Sequence, residues 1–386
     1  MIYETRQVEK PAGLAGAKVL ISGASFAGLA TAWWLNRLGC RVTVVEIASG
    51  LRKGGTPVDI EGDTIEILTR MGLFEAVRAK ALPPRTLEFK NADDSTVGIM
   101  GADRASSVGH CEIHRDDLLD ILSAAVAGSV EIVFSRSIEL LQDGPEAVTV
   151  TFDDGSREDY ALVCGCDGNR SNTRQLAFGR DEKFSHFMGC YGFLKVVRDT
   201  ELLPANLTQV FSVPGRTAML NGYHDRADIG LVFRSNVEIE YDHRDRAKQR
   251  RMIHDHFAGL DWKVPAVLRH LDADDDFYFD RVNQIRMPFW SKGRVVLVGD
   301  AGYCVSPLAG MGGSMAIIGA AGLAEALSHS GSDYEAAFRE YHDKLRPFVD
   351  DVQDKAVRFG LTVMFPADEA GITMRDQRIS SGKLNT

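Results

Sequence analysis

The sequence predicts an α/β fold: a Rossmann-like nucleotide-binding domain with an inserted antiparallel-sheet domain and a C-terminal bridging helix. Three observations predict this fold. A β-α-β pattern of about 30 residues begins at Lys18. Apolar or alternating strands separated by turns occupy residues 189–235. A strand, a loop and a long apolar helix then return after residue 293.

The β-α-β unit is built from "KVLIS" (18–22), a helix "LATAWWLNRLG" and a second strand "RVTVVE" (41–46). The turn between strand and helix, "GASFAG", matches the G-x-G-x-x-G fingerprint except that Ser25 stands at the second glycine. Gly23 permits the tight turn, and Gly28 lets the helix pack on the strand. Ser25 adds one small polar group where the backbone approaches a pyrophosphate.

Two further features of this unit favour a dinucleotide. The backbone amides from Ala24 to Ala27 would face a pyrophosphate at the helix N-terminus. Glu46 closes the second strand and would accept hydrogen bonds from ribose hydroxyls. An acid at this position favours an unphosphorylated ribose, and therefore FAD or NAD over NADP.

The predicted elements divide the chain into three parts. Residues 17–180 with 281–345 would form the nucleotide-binding domain, 181–280 a substrate-binding domain with a mixed or antiparallel sheet, and 346–386 a C-terminal helical segment. Residues 1–16 have the composition of a loose arm. The amphipathic helix that begins at "YEAAFREYH" is expected to be interrupted near Pro347.

Composition narrows the possible partners. The 386 residues carry a net charge of −10 with mixed signs, which argues against nucleic acid or an anionic membrane as the main partner. We see no secretory signal in the sequence, and no apolar stretch approaches the ~20 residues that a membrane-spanning helix needs. We therefore expect a cytoplasmic protein. The six cysteines have no disulfide or zinc spacing, and we predict no metal site. The expected partner is a small molecule, and the expected state a monomer or weak dimer.

Two later segments indicate which nucleotide binds. "ALVCGCDGNRSNTRQ" and "GRVVLVGDAGYCVSPLAGMGG" resemble the D-G and G-D motifs of FAD-dependent aromatic hydroxylases, the single-component flavoprotein monooxygenases. The matching residues are Asp167, Gly168, Ser171 and Arg174 in the first motif, and Gly299, Asp300, Ala301, Pro307, Gly310 and Gly312 in the second. The resemblance covers roughly residues 17 to 360 and implies FAD as cofactor.

The resemblance also implies roles for the second motif. Asp300 would hold the FAD ribitol, and Pro307 would lie near the face where oxygen adds. Gly310, Gly312 and Gly313 would let the chain pass close to the isoalloxazine. The following helix would direct its positive end at the ring, where negative charge accumulates on reduction. Met311 departs from the family, which usually has Gln there.

More specifically, the chain is similar to the tetracycline-inactivating monooxygenases and their antibiotic-tailoring relatives. "LRKGGTPVDIEG" matches their loop after the second strand and would bring Arg52 and Asp59 near the cofactor, although both could be ordinary loop residues. "EIHRDDLLDIL" matches a segment whose Arg115 would bind FAD, the alternative being a surface charge at a helix start. By the D-G motif, Asp167 is also assigned to the cofactor.

Substrate residues are expected from the middle sheet. The candidates are Phe193, Arg216, Met219 and Phe233. The three apolar residues could equally be sheet core, and Arg216 could be a turn residue after "VPG".

The family's activity supplies the leading functional hypothesis. NADPH or NADH would reduce FAD, O2 would give a C4a-hydroperoxyflavin, and a phenolic, polyketide or tetracycline-like molecule would be hydroxylated, in antibiotic biosynthesis or resistance. No residue is then an obligatory catalyst, and no second dinucleotide fingerprint is needed or found. Three alternatives stay open: a flavoprotein reductase, dehydrogenase or cyclase; a non-catalytic FAD-fold binding protein; and a plain NAD dehydrogenase.

Overall fold

A computed structural model describes residues 13–100, 110–198 and 201–381. Its strands are β1 (Lys18–Ser22), β2 (Arg41–Glu46), β3 (Val58–Glu61), β4 (Thr86–Lys90), β5 (Thr96–Met100), β6 (His110–Ile113), β7 (Glu131–Phe134), β8 (Ile138–Asp143), β9 (Val148–Phe152), β10 (Arg157–Tyr160), β11 (Leu162–Gly165), β12 (Ser185–Arg198), β13 (Leu207–Val213), β14 (Arg216–Gly222), β15 (Arg226–Arg234), β16 (Tyr278–Ile285), β17 (Ser291–Lys292) and β18 (Val295–Leu297). Its helices are α1 (Phe26–Arg37), α2 (Asp63–Arg70), α3 (Phe74–Ala79), α4 (Arg115–Val126), α5 (Asn172–Phe178), α6 (Arg246–Phe257), α7 (Val264–Asp272), α8 (Asp300–Tyr303), α9 (Gly312–Ser330), α10 (Tyr334–Lys355) and α11 (Glu369–Ser380).

Six strands form the nucleotide-binding sheet, in the order β17-β18-β11-β1-β2-β7. β1 lies at its centre and pairs in parallel with β2 and β11, whereas β17 runs antiparallel to β18. The central strands are apolar runs because a parallel sheet is covered on both faces. The predicted β-α-β unit is confirmed in this arrangement.

The two faces of this sheet are covered differently. On one face α1 and α9 pack against each other, and α9 is buried from Ser314 to Leu327, as a helix that is apolar on all sides must be. On the other face the antiparallel strands β8, β9 and β10 pack Val150 and Phe152 into a cluster with Leu20 of β1. A tight turn at residues 153–156 joins β9 to β10 as a hairpin.

The second sheet has seven strands in the order β16-β12-β15-β14-β13-β4-β5. The pairs are antiparallel apart from β13 with β4, which is parallel. One face packs on α6 and α7, where Leu231 and Phe233 meet Ile253 and Phe257. The antiparallel sheet predicted for residues 189–235 is therefore present, and its other face is left for the cavity described below.

The C-terminal segment bridges the two sheets, as predicted. After α10, a π-helical stretch (Ala356–Met364) lies against the Pro307–Ala309 turn, where a Cβ added at Gly360 would be 2.8 Å from the Cβ of Leu308. On the seven-stranded sheet, Arg234 donates to the carbonyl oxygens of Leu361 (3.0 Å) and Phe365 (3.1 Å).

The predicted interruption near Pro347 is wrong, because α10 runs unbroken from Tyr334 to Lys355. Proline removes one N–H and frees the carbonyl four residues earlier, that of Asp343. Both residues are exposed, so water can satisfy this carbonyl. The opposite face stays packed through Leu345 and Val349, which are fully buried.

The predicted domain limits stay a prediction, but two features bear on them. β4 and β5 come from the segment assigned to the nucleotide-binding domain, yet they extend the seven-stranded sheet through β13. The limit at residues 345 and 346 falls inside α10. Residues 1–12 of the predicted arm and 382–386 of the C-terminal segment lie outside the described residues.

The residues that the structure describes include neither a helix that could span a membrane nor a cluster that could hold a metal ion. No helix there is long and apolar enough to cross a membrane. No group of three or more His, Cys, Asp or Glu there is arranged to hold a metal ion. The six cysteines are unpaired, and five of them are buried.

Candidate active site

A cavity of about 3550 Å³ lies between the carboxyl edge of the nucleotide-binding sheet and the open face of the seven-stranded sheet. Small-molecule sites commonly measure about 300–1,000 Å³, so this cavity has room for a large cofactor and a second molecule. The predicted site residues that line it are Gly23, Ser25, Glu46, Arg52, Asp59, Arg115, Asp167, Phe193, Met219, Asp300, Pro307 and Gly310.

The turn after β1 requires glycine at both ends. Gly23 has φ +103°, and a Cβ there would lie 2.5 Å from the carbonyl oxygen of Cys166. A Cβ at Gly28 would lie 1.8 Å from the carbonyl oxygen of Gly23, so only glycine lets α1 pack this closely. Ala27 is buried against Gly299, where an added Cβ would be 3.1 Å from the Ala27 Cβ. The first turn of α1 is thereby held beside the second motif.

Ser25 is the N-cap residue of α1, but its side chain does not cap the helix. Its hydroxyl accepts a hydrogen bond from Nη2 of Arg115 at 3.2 Å. Arg115 also donates from Nη1 to the carbonyl oxygens of Arg52 (2.7 Å) and Gly54 (3.2 Å), and its guanidinium lies 5.2 Å from the Phe26 ring centre. Burial lowers the pKa of Arg115, opposed by the charge of Asp116. Arg115 is therefore held in the cavity wall by contacts with other residues of that wall.

Glu46 ties the end of β2 to the same turn. Its Oε2 accepts the backbone N–H of Ala24 and its Oε1 that of Ala48, each at 2.9 Å. The side chain is half-buried and lines the cavity. The carboxylate therefore fixes the turn, and each oxygen keeps a lone pair for a further donor.

The loop after β2 places Arg52 and Asp59 differently. Arg52 is exposed at the cavity wall. Asp59 lies in β3, where Oδ1 is 3.0 Å from Nε2 of His110 and the carbonyl oxygen accepts the Ser314 hydroxyl at 2.9 Å. β3 is thus joined to the first turn of α9.

In the first motif, Asp167 organises α5. Its Oδ2 accepts the backbone N–H and the hydroxyl of Thr173, both at 2.8 Å, and Oδ1 accepts the Ser171 hydroxyl. Arg174 is fully buried and donates to the carbonyl oxygens of Asn169 (2.7 Å) and Ala301 (2.8 Å). Arg174 therefore connects the two motifs, and a contact of Asp167 with a cofactor stays a prediction.

In the second motif, Asp300 is the first residue of α8 and lines the cavity. Burial raises its pKa to about 6, opposed by the Cys304 thiol and the Arg174 cation. A polar ligand that donates to this carboxylate would satisfy it where water is scarce.

The loop after α8 leads into a long helix, α9, whose first turn lies at the cavity. Pro307–Ala309 form a 3-10 turn, Gly310 has φ +68°, and α9 follows with 19 residues and no acid in its first turn. Met311 is its N-cap residue and lines the cavity. Gly313 lets α9 approach β3, since a Cβ there would be 2.5 Å from Cγ1 of Val58. Gly312 and Gly313 do not themselves line the cavity. The positive end of the α9 dipole is thus held beside Pro307.

Comparison with known proteins decides the family. A family model described as an FAD binding domain matches residues 16–356. An uncharacterized protein of Mycobacterium tuberculosis H37Rv is 37% identical over 341 residues, which cover 86% of this chain and 90% of that protein. A flavin-dependent monooxygenase from an unknown prokaryotic organism is 32% identical over 376 residues, covering 94% and 93%. The crystal structure of tetracycline destructase Tet(55) superposes with a TM-score of 0.83 at 30% identity, covering 95% of both chains.

The chain belongs to the flavin-dependent monooxygenases. The resemblance inferred from the two motifs is confirmed, and FAD is the cofactor of this family. The residues of the cavity fit FAD on their own evidence. The turn at Gly23 has no room for a side chain, Glu46 can accept further donors, and the first turns of α1 and α9 carry no acid that would repel phosphate or a reduced ring. Which atoms of FAD each residue contacts stays a prediction.

The substrate side of this monooxygenase departs from the sequence prediction. Met219 lines the cavity. Phe193 borders it as well, but it is 3% exposed, packs on Phe277 and pairs with Leu231, so its side chain lies on the sheet face that packs on α6 and α7. Arg216 instead donates to the carbonyl oxygen of His256 at 3.1 Å, and Phe233 stacks on the His256 ring at 3.7 Å. Both side chains lie on the sheet face that packs on α6, because side chains alternate between the faces of a strand. The assignment of Arg216 and Phe233 to the substrate is therefore corrected.

A polar cluster that was not predicted from the sequence lies on the open face of the seven-stranded sheet. Arg85 donates to the Tyr223 hydroxyl and to Glu112, and its guanidinium lies 4.8 Å from the Tyr223 ring centre. Arg226 is 3.4 Å from Asp228, a fully buried carboxyl whose burial, opposed by the two arginine cations, raises its pKa to about 6. The sequence contains a sign of this cluster: two charged residues, Arg226 and Asp228, interrupt the apolar strand "RADIGLVF". They are two residues apart and therefore lie on the same face of the strand.

Proposed function

We propose that this flavin-dependent monooxygenase consumes NADPH or NADH and hydroxylates a phenolic, polyketide or tetracycline-like small molecule. One observation carries the proposal. A single cavity joins the turn at Gly23, the loop at Pro307 and the open face of the seven-stranded sheet. A cofactor and an organic substrate of some size can therefore share one space.

The chemistry of the sheet face favours a broad, largely apolar molecule with oxygen atoms at its edge. Gly192 and Gly230 leave space there, and Leu194, Met219 and Val232 supply apolar surface. Val232 and Leu308 pack against the same apolar cluster. Asp228 lies four residues before Val232 in β15, a separation of about 13 Å at the usual rise of a strand. The apolar part is thus nearest the flavin loop, and hydrogen-bond donors are further away.

Those donors come from the polar cluster and its neighbours. Asn221 is buried at the cavity wall, and its Oδ1 accepts a hydrogen bond from the Thr208 hydroxyl at 2.8 Å. The amide N–H groups of Asn221 take no part in this bond. Arg85 and Arg226 line the same region. Such donors suit carbonyl, phenol or enol oxygens, the groups that phenolic and polyketide molecules carry.

When bound, FAD supplies the redox and oxygen-transfer chemistry that no side chain can. The chain supplies position and surroundings. Glu46 holds the turn that binds the diphosphate, Arg115 fixes the adjoining loop, and Asp300 with the α9 N-terminus would hold the ring end. The C-terminal segment packs against Leu308 and limits the entry of water.

The solved tetracycline destructase supports this substrate class by similarity of fold and sequence over 95% of both chains. The use of NAD(P)H is part of the proposal, and it agrees with the presence of one dinucleotide fingerprint in the sequence.

A second candidate is a flavoprotein reductase, dehydrogenase or cyclase that inserts no oxygen. Met311 favours it, because a thioether lines the cavity at the start of α9 where the resembling hydroxylases usually carry an amide. A flavin loop altered at this residue could serve another reaction of the same cofactor.

One experiment separates the candidates. FAD-loaded protein is given NADPH or NADH with a panel of phenols, polyketides and tetracyclines, and cofactor oxidation, O2 uptake and product mass are followed together. The proposal expects one compound class to stimulate oxidation and to gain one oxygen atom. Turnover without O2 uptake would establish the second candidate instead.

A further inference from the structure

Ser25 is the residue at which this chain departs from the dinucleotide fingerprint, and it has a specific partner. The hydroxyl of Ser25 accepts a hydrogen bond from Nη2 of Arg115 at 3.2 Å, although the two residues are 90 positions apart in the sequence. A glycine at this position, as in the usual fingerprint, would offer no acceptor.

The other contacts of Arg115 lead to one segment, residues 51–57, which we name the β2–β3 loop. Nη1 donates to the carbonyl oxygens of Arg52 (2.7 Å) and Gly54 (3.2 Å). Gly55 has φ +112°, and a Cβ there would lie 2.9 Å from Cδ of Arg115, so the arginine stem passes directly over this loop. The next residue of α4 adds a further contact, because the backbone N–H of Gly54 donates to Asp116 at 2.7 Å.

The β2–β3 loop also forms one wall of the cavity, through residues 52–57. A guanidinium has its donors fixed in one plane, so the partners of one nitrogen orient the other. Because Nη2 is held by Ser25 and Nη1 by the loop, the position of the loop depends on the hydroxyl of Ser25.

We propose that Ser25 is a positioning residue for FAD, which strengthens cofactor binding by orienting Arg115 and, through it, the β2–β3 loop. Ser25 then acts without a direct bond to phosphate. This inference rests on the binding of FAD at the Gly23 turn, which the proposed function also needs.

A double-mutant cycle tests the proposal. FAD dissociation constants are measured by flavin fluorescence on deflavinated protein for the parent, Ser25→Ala, Arg115→Met and the double variant. Methionine keeps an unbranched stem and removes every donor. One lost hydrogen bond predicts that Ser25→Ala raises Kd about three- to tenfold in the parent. The same change should alter Kd less than twofold when Arg115 is already methionine.

Two results of this cycle would overturn the proposal. An equal loss from Ser25→Ala in both backgrounds would mean that the hydroxyl contacts phosphate directly. No loss in the parent would mean that serine is merely tolerated. The matched control is Ser22→Ala, which removes a hydroxyl from the same end of β1 that contacts Asp167 (3.4 Å). Its effect on Kd should be the same in both Arg115 backgrounds.

Limited trypsin digestion gives a second readout that does not depend on Arg115→Met folding. Arg52 and Lys53 are exposed trypsin sites within the β2–β3 loop. With FAD saturating, cleavage after these residues should be about three- to tenfold faster in Ser25→Ala than in the parent or in Ser22→Ala. Ser25→Thr keeps the hydroxyl and should restore protection. Equal cleavage in Ser25→Ala and the parent would contradict the proposal, whereas a parent that binds no FAD would refute the proposed function itself.

Discussion

Glu46→Gln is the change that tests the nucleotide end of the site most sharply. Glutamine keeps the size of the side chain but replaces one carboxylate oxygen with an NH2 group and removes the charge. In the protein both oxygens already accept backbone N–H groups, from Ala24 and from Ala48, each at 2.9 Å. In the variant, one of these N–H groups must face another donor.

The expected loss follows from these contacts. A hydrogen bond to a charged group contributes about 1.5–3 kcal/mol, and each 1.4 kcal/mol is a factor of ten in affinity. Glu46→Gln should therefore raise the Kd for FAD by roughly 10- to 100-fold, through a loosened Ala24 turn and a weaker acceptor for ribose. Saturating FAD should restore most of the turnover, because the expected contact is with the adenosine ribose and not with the reacting ring.

The assay is titration of deflavinated protein with FAD, followed by flavin fluorescence. Glu131→Gln is the matched control. It removes a carboxylate from the neighbouring strand β7, outside the cavity, and its Kd should equal that of the parent. An unchanged Kd in Glu46→Gln would refute our placement of the nucleotide at the end of β2.

Three further predictions concern the ring end, the buried cluster and the substrate face. Asp300→Ala should keep turnover low even with saturating FAD and release hydrogen peroxide from NAD(P)H oxidation, since the ring is no longer fixed; efficient hydroxylation by the loaded variant would contradict this. Burial raises the pKa of Asp228 from 3.8 to about 6. Ionised Asp228 therefore lowers the free energy of unfolding above pH 6, and this loss of stability disappears as the pH falls below 4. Urea denaturation should show Asp228→Asn more stable than the parent by up to about 3 kcal/mol at pH 7.5 and little changed at pH 4; an equal gain at both would exclude a charge effect. Met219→Trp should raise the substrate KM at least tenfold by filling the cavity, whereas Arg216→Ala, on the opposite face, should leave KM unchanged; the reverse order would restore Arg216 as a substrate residue.

The nucleotide-binding half could be predicted from the sequence because its signals are local. A buried parallel strand is a continuous apolar run, and Gly28 is required by a contact only five residues away, with the carbonyl oxygen of Gly23. The joint order of the two later motifs then identified the family, which the comparisons confirm.

The features that the sequence did not show depend on contacts between distant parts of the chain. β4 and β5 join the seven-stranded sheet through β13, more than 100 residues away, and no local pattern shows that pairing. Pro347 stays helical because its side of α10 is exposed, a fact fixed by packing of the opposite face. Phe233 and Arg216 are candidates because they belong to the middle sheet, whereas the alternation of side chains along each strand decides which face of that sheet each one occupies.

Incorporation of oxygen from ¹⁸O2 tests the central claim most directly. FAD-loaded protein is incubated with NAD(P)H, ¹⁸O2 and any compound that it consumes, and the product is analysed by mass spectrometry. A flavin-dependent monooxygenase with this cavity should transfer one ¹⁸O atom to the product for each NAD(P)H oxidised in coupled turnover. Consumption of the compound with no ¹⁸O in the product would contradict the account and assign the cavity to a reductase, dehydrogenase or cyclase.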